Sequence, residues 1–177
     1  MQTPLLEKFE AGFVAGAKQV KPDIELQTAY LSQPPDFSGF GDPAAGQEAA
    51  NGMFDAGADV IYAAAGGSGL GVFQSALAND ALGIGVDSDQ YESIGASNPE
   101  LQPVILTSML KRVDVAVFES LQKFVDEEEI DAVTTFDLES DGVGYATSGG
   151  AVDDIADQLD ELKQQIIDGE ITVPTTP

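Results

Sequence analysis

The stretch from Asp59 to Gln90 constrains this chain more than any other. It opens with the apolar run Val60-Ile61-Tyr62-Ala63-Ala64-Ala65 and passes into Gly66-Gly67-Ser68-Gly69-Leu70-Gly71. An apolar helical stretch follows from Val72 to Asn79. A second apolar run, Leu82 to Val86, then stops abruptly at Asp87-Ser88-Asp89-Gln90. Strand, glycine turn, helix, strand and acidic tip, in that order, make a parallel β-α-β unit. Such a unit carries both strand-end loops on one edge of the sheet, and open α/β sheets bind ligands outside those carboxyl ends. The glycine turn and Asp87 are therefore expected to face one another across one crevice.

The flanking sequence supplies the remaining elements. Thr3 is a good N-cap and Pro4 a good first residue for a helix reaching about Val20. Leu5, Leu6, Phe9, Phe13, Val14 and Ala17 recur on it at helical spacing, and Gly12 and Gly16 are expected to let it pack closely on the sheet. Pro22-Asp23 breaks the helix, and the alternation of Ile24, Leu26, Thr28 and Tyr30 predicts a strand ending near Ser32. Gln33 to Pro43 is a long Gly/Pro loop carrying Phe37 and Phe40. Those rings either tuck onto the sheet or form an aromatic wall for a flat ligand. Asp42-Pro43 caps a helix to about Asp55.

Beyond the acidic tip, Ser88 to Gln102 reads as polar and turn-rich, and Val104 to Leu106 as a short buried strand. Thr107-Ser108 are expected to cap a helix from about Met109 to Glu127, with Leu110, Val113, Val117, Leu121 and Phe124 inward. That places Lys111-Arg112 in a first turn, where the macrodipole disfavours cations, and suggests a task for Lys111 other than helix stability. Ile130 to Leu138 is a strand or an extended return segment, Val143 to Ala146 a short strand, and Asp153 to Gly169 an acidic amphipathic helix. Neither an internal repeat nor a linker divides the chain. Residues 1–177 are thus expected to form one α/β domain, a largely parallel sheet with helices on both faces.

Charge narrows the possible partners. The chain has 31 acidic residues against 7 basic ones, a formal net charge of -24. The Lys and Arg that phosphate contacts require are nearly absent, so nucleic acid is not an expected partner. Self-repulsion at this charge destabilises a fold unless salt screens it, which points to a salt-adapted source. The melting temperature is expected to rise between low and molar KCl; equal values in both would refute that reading. There are no cysteines or histidines, which removes disulfides, thiolate and imidazole metal sites, and Ser-His triads. No run approaches the roughly 18 apolar residues of a membrane span, and Met1-Gln2-Thr3-Pro4, with no charged n-region or long apolar run, is not expected to begin a signal peptide. The chain as given is expected to be soluble.

Two constellations carry chemistry. In the Gly66 to Gly71 turn, a G-x-G-x-x-G pattern begun at Gly67 or Gly69 meets Val72 or Gln74 where its third glycine belongs, so the dinucleotide fingerprint fails. No Gly-Lys-Ser/Thr occurs either. What remains is a turn whose bare N–H groups suit a ligand hydroxyl or carboxylate, or one that merely allows tight packing. In the second constellation, Asp87 or Asp89 at a strand end can accept two hydrogen bonds from vicinal hydroxyls such as a ribose diol. Lys111 could reach the same place, hold the carboxylate ionised and donate to a sugar oxygen. The bland alternative is a helix cap among solvated acids. A phosphoacceptor site would need an acidic pair at the end of the first strand, where Ser32-Gln33 stands. A hydrolase using Asp87 and Asp89 as acid and base, or as metal ligands, is the competing class.

Several motifs, in order, resemble the basic-membrane-protein family: Phe9-Glu10-Ala11-Gly12-Phe13, Phe40-Gly41-Asp42-Pro43, Gly57-Ala58-Asp59-Val60-Ile61, Ala65-Gly66-Gly67-Ser68-Gly69, Gly85-Val86-Asp87-Ser88-Asp89-Gln90 and Thr107-Ser108-Met109-Leu110-Lys111-Arg112. The family comprises substrate-binding lipoproteins of ABC transporters, among them purine-nucleoside receptors. The resemblance implies a three-layer, Rossmann-like lobe of a type I periplasmic binding protein. Family members have two such lobes that close on the ligand, and this chain resembles the second of them. It further implies non-covalent nucleoside binding without catalysis or cofactor, an ABC permease as partner, and anchorage on the extracytoplasmic face of a membrane. By motif, the ribose carboxylate falls on Asp87, with Asp89 as the alternative, the lysine on Lys111 and the backbone donor on Gly66 or Gly67. Phe40 is the aromatic candidate on this lobe. The third reading is an orphan lobe that binds nothing alone and pairs with another chain, or with its own copy, through its exposed edge.

Overall fold

Two helices with proline at their first position frame the first third of the protein, whose computed structural model describes residues 1–177. Helix α1 spans Pro4–Val20, and the Thr3 hydroxyl accepts a hydrogen bond from the Leu6 N–H at 3.2 Å. Helix α2 spans Pro43–Asp55, and the Asp42 carboxylate accepts from the Ala45 N–H at 3.0 Å. Each side chain satisfies one of the orphan donors of a helix start. Then come β1 (Val60–Tyr62), α3 (Gly69–Ala78), β2 (Leu82–Asp87), α4 (Gln90–Gly95), β3 (Ile105–Lys111), α5 (Val113–Val125), β4 (Val143–Tyr145) and α6 (Ala156–Ile167).

The sheet has the order β1-β2-β3-β4. The first three strands are parallel, and β4 pairs antiparallel with β3. The parallel β-α-β unit read from Asp59 to Gln90 is present, so the turns after β1, β2 and β3 all lie at one edge of the sheet.

The core lies between one sheet face and the α2–α3 pair. Ala50, Phe54, Ile61, Val72, Phe73 and Ile105 are buried there, with Leu101 closing one side. Phe73 is fully buried beside Gly83, where a β-carbon would come within 2.7 Å of its ring. Helices α2 and α3 approach closely because both present glycine. A β-carbon at Gly71 would lie 1.8 Å from the Pro43 carbonyl oxygen, and one at Gly46 would lie 2.2 Å from the Ser68 carbonyl oxygen.

The opposite face is covered more sparsely. Only Ala11 of α1 is buried, and Phe13 packs against Tyr62 with ring centroids 5.1 Å apart. An apolar groove of about 490 Å³ remains between α1 and the strands, lined by Phe9, Phe13, Tyr62, Ile84, Met109 and Tyr145. No helix is long and apolar enough to cross a membrane.

The structure corrects several expectations. Ile24 to Ser32 forms no strand, and residues 25–31 make no backbone–backbone hydrogen bonds. Side chains fasten the segment instead: Thr28 donates to Glu10 of α1 at 2.8 Å, and Tyr30 donates to the same carboxylate. Gly12 and Gly16 do not mediate close packing, since a β-carbon at Gly12 would meet only Val173 at 3.7 Å and one at Gly16 would meet nothing within 4 Å. The turn-rich reading of Ser88 to Gln102 missed α4 and a 3-10 segment at Pro99–Val104.

The largest correction concerns Thr107 to Lys111. These residues continue β3 and do not start a helix. The Thr107 hydroxyl donates to the Ala146 carbonyl at 2.6 Å, and buried Ser108 accepts from the Gln90 N–H at 3.0 Å. Both hydroxyls thus serve long-range partners, not a cap. Lys111 ends a strand, so the macrodipole argument for it lapses. The helix after it begins at Val113, and its stripe is not inward: no residue of α5 is buried, and Phe118 and Phe124 are 67% and 73% exposed.

Candidate functional site

The acidic tip after β2 is built around an unusual backbone. The Ser88 N–H donates to the Val86 carbonyl at 2.9 Å, closing a three-residue turn with Asp87 at its centre. Asp87 has φ of 69°. A turn of this hand is rare and strained, and glycine tolerates it far better than a residue with a β-carbon. Aspartate in such a position is a candidate for a functional constraint.

Lys111, at the end of the neighbouring strand, meets the Asp87 carboxylate with Nζ 2.7 Å from Oδ1. The two side chains are about half exposed, at 50% and 47%. A pair this wet contributes at most about 1 kcal/mol to stability. It does place a fixed acceptor beside a fixed donor at the mouth of a hollow of about 590 Å³, which also involves Ser88, Asp89 and Arg112. Arg112 is turned to Asp114, with two-pronged contacts of 3.0 and 2.9 Å. That guanidinium holds the Asp114 carboxyl below the usual carboxylate range.

Asp89 has a different occupation. One oxygen caps α4 by accepting from the Glu92 N–H at 3.3 Å, and the other accepts from the Ser148 hydroxyl. Asp87 and Asp89 both line the hollow, and of the two only Asp87 is paired with Lys111. Nowhere do three acidic side chains gather at metal-ligating spacing. Tyr62, on β1, lies within electrostatic reach of the tip. Burial pushes its phenol well above the ordinary range, and the Asp87 charge adds to that.

Gly66, Gly67 and Phe40 form a second group. Gly66 has φ of 56° and lies against the Phe40 backbone, where a β-carbon would stand 2.9 Å from the carbonyl oxygen. The fully buried Ser68 fixes this contact by accepting from the Asp42 N–H at 2.9 Å and donating to the Gly39 carbonyl at 2.8 Å. Part of the glycine run therefore does serve packing: Gly66 to the Phe40 loop and Gly71 to α2. Phe40, Gly66 and Gly67 do not line the hollow beside Asp87. They stand at the carboxyl end of β1, the neighbouring parallel strand, on the same edge of the sheet.

Reading the sequence missed Gln90, Ser108 and Ser148, which hold the acidic tip from three sides. The only available signal was that Gln90 stands four residues after Val86, the spacing at which a side chain can return to close a loop.

Comparison with known proteins gives a consistent picture. A family described as PnrA-like ABC transporter substrate-binding protein matches residues 1–177. The ABC transporter nucleoside-binding protein BmpA of Lactococcus lactis subsp. cremoris is 36% identical, over 99% of this chain and 51% of its own. A CD4+ T-cell-stimulating antigen of Listeria monocytogenes is 35% identical, over 98% of this chain and 50% of its own. The chain thus spans about half the length of the curated relatives it matches. Among solved structures, an ABC transporter solute-binding protein from Conexibacter woesei superposes on 99% of this chain and 55% of its own, with a TM-score of 0.76 at 23% identity. One from Aeropyrum pernix gives 0.73 at 26% identity, over 98% of this chain and 56% of its own.

Proposed function

The chain belongs to the PnrA-like family of ABC transporter substrate-binding proteins, and from that premise we propose that the hollow beside Asp87 receives the ribose of a nucleoside. The observation that carries this reading is the 2.7 Å contact of Lys111 with Asp87 at the mouth of that hollow. A vicinal diol can donate both protons to the carboxylate while the ammonium donates to a sugar oxygen. The Gly66-Gly67 amides and the Phe40 ring, at the next strand end, would complete the contacts of this lobe with sugar and base.

Capture without chemistry suits these side chains better than hydrolysis. Asp87 is ion-paired, and both oxygens of Asp89 are already engaged. In a longer protein a second lobe would cover the other side of the ligand, and the loaded form would deliver it to an ABC permease from the extracytoplasmic face of the membrane. With one wall only, much of the ligand stays in water, and affinity is correspondingly weak.

Millimolar titrations followed by amide NMR in high salt test this. Inosine is expected to shift the resonances of Asp87, Ser88 and Lys111 saturably. The 2′,3′-dideoxy analogue should bind at least tenfold more weakly, since each lost hydrogen bond to a charged group costs about 1.5–3 kcal/mol. Equal affinity of the two ligands, or shifts confined to another edge of the sheet, would overturn the reading.

A further inference from the structure

We infer that Gln90 is a positioning residue, whose side chain holds Asp87 in the conformation that meets the ligand; this rests on reading Asp87 as the sugar-binding carboxylate. The last residues of a strand ordinarily relax into the preferred negative-φ regions. Here Asp87 does not, and the contacts around it explain why. The Gln90 side-chain oxygen accepts from the Val86 N–H at 3.0 Å, so the chain leaves β2, turns through three residues and is tied back to its own strand. The Gln90 N–H donates to Ser108 on β3 at 3.0 Å. Ser108 is fully buried, so this anchor is shielded from competing water. One residue thus fastens the tip to both strands whose ends carry Asp87 and Lys111.

Gly85 provides the room. A β-carbon there would lie 2.4 Å from the Ser108 hydroxyl and 2.6 Å from the Gln90 side-chain oxygen. The far end of the tip is held separately by Asp89 and Ser148. With Val86 and Gln90 fixed and Ser88 folded back on Val86, the remaining freedom falls on Asp87, which sits at φ of 69°. Orientation of the carboxylate toward Lys111 follows from a clamp that touches neither the carboxylate nor the ligand.

The test compares Gln90→Met, similar in length but without the acceptor, with Gln90→Glu, which keeps it. Both are made in the full chain in high salt. The readouts are the Asp87 torsion, from the coupling constant and chemical shifts of the ligand-free protein, and inosine affinity. The Met variant is expected to lose the positive-φ signature and to bind at least tenfold more weakly, and the Glu variant to keep both. A positive φ retained in Gln90→Met overturns the clamp. Loss of positive φ with unchanged affinity overturns the ligand-facing role. Unchanged affinity in Asp87→Asn, by contrast, strikes the reading of the site itself. Should Gln90→Met not fold, Gln90→Asn keeps a polar side chain but shortens it by one methylene, drawing the acceptor away from the Val86 N–H. A weakened positive-φ signature there supports the clamp and an unaltered one overturns it.

Discussion

Asp87→Gly is expected to weaken nucleoside binding at least tenfold while leaving the fold as stable as before or more so. Two opposed terms decide the stability. Removing the carboxylate forfeits an exposed ion pair with Lys111, worth at most about 1 kcal/mol. Removing the β-carbon releases a residue held at φ of 69°, a region that costs a non-glycine residue about 1–3 kcal/mol. Asp87→Ala separates the terms because it loses the same ion pair and keeps the strain. The Gly variant should therefore melt above the Ala variant, by roughly 2–4 °C for each kcal/mol in a chain of this size. Both should fail in the inosine titration alike. Equal melting temperatures would mean that the tip stores no strain. Retained binding in either variant would remove Asp87 from the site.

The second large effect lies in the core. Gly71→Ala places a β-carbon 1.8 Å from the Pro43 carbonyl oxygen and 2.7 Å from the Gln47 nitrogen. Both are backbone atoms of α2, so no side chain can swing away and the two helices must separate. Overpacking of this kind costs about 3 kcal/mol, or more when backbone has to move. Against a total stability of about 5–15 kcal/mol, such a loss leaves a marginal or unfolded chain. Gly52, on α2, is the control. A β-carbon there meets nothing within 4 Å, so Gly52→Ala should stabilise the protein by about 0.5–1 kcal/mol through helix propensity alone. Chemical denaturation of the two variants checks the opposite signs. A Gly71→Ala protein as stable as the parent would contradict the close helix approach.

The β1-α3-β2 unit was legible because its signals are local. Apolar runs, a glycine turn and an acidic stop sit within thirty-odd residues and reinforce one another. The starts of α1 and α2 were legible for the same reason, through Thr3-Pro4 and Asp42-Pro43. Thr107 and Ser108 deceived because the same two residue types that cap helices here sit inside a strand. What makes them strand residues is pairing with Ile84 and Gly85 of β2, more than twenty positions earlier, together with bonds to Ala146 and from Gln90. The stripe on α5 showed that this helix has an apolar face but not what lies against it. At the site, the convergence of Asp87 and Lys111 followed from the rule for parallel strand ends, even though Lys111 was assigned to the wrong element. The left-handed turn was not legible, because an aspartate in the sequence carries far less of the warning that a glycine would, and this chain has many aspartates with ordinary backbone.

The bare face of α5 sets colloidal behaviour against conformational stability. Phe118, Leu121, Phe124 and Val125 are each at least 60% exposed on one helix. Between copies of the chain such a surface is adhesive, and the chief barrier to contact is mutual repulsion at a net charge of -24. Molar salt shrinks the range of that repulsion to about 3 Å. The same ions that relieve strain within each molecule therefore let neighbouring molecules touch, and the preparation should be best behaved in an intermediate window of ionic strength, bounded below by unfolding and above by association.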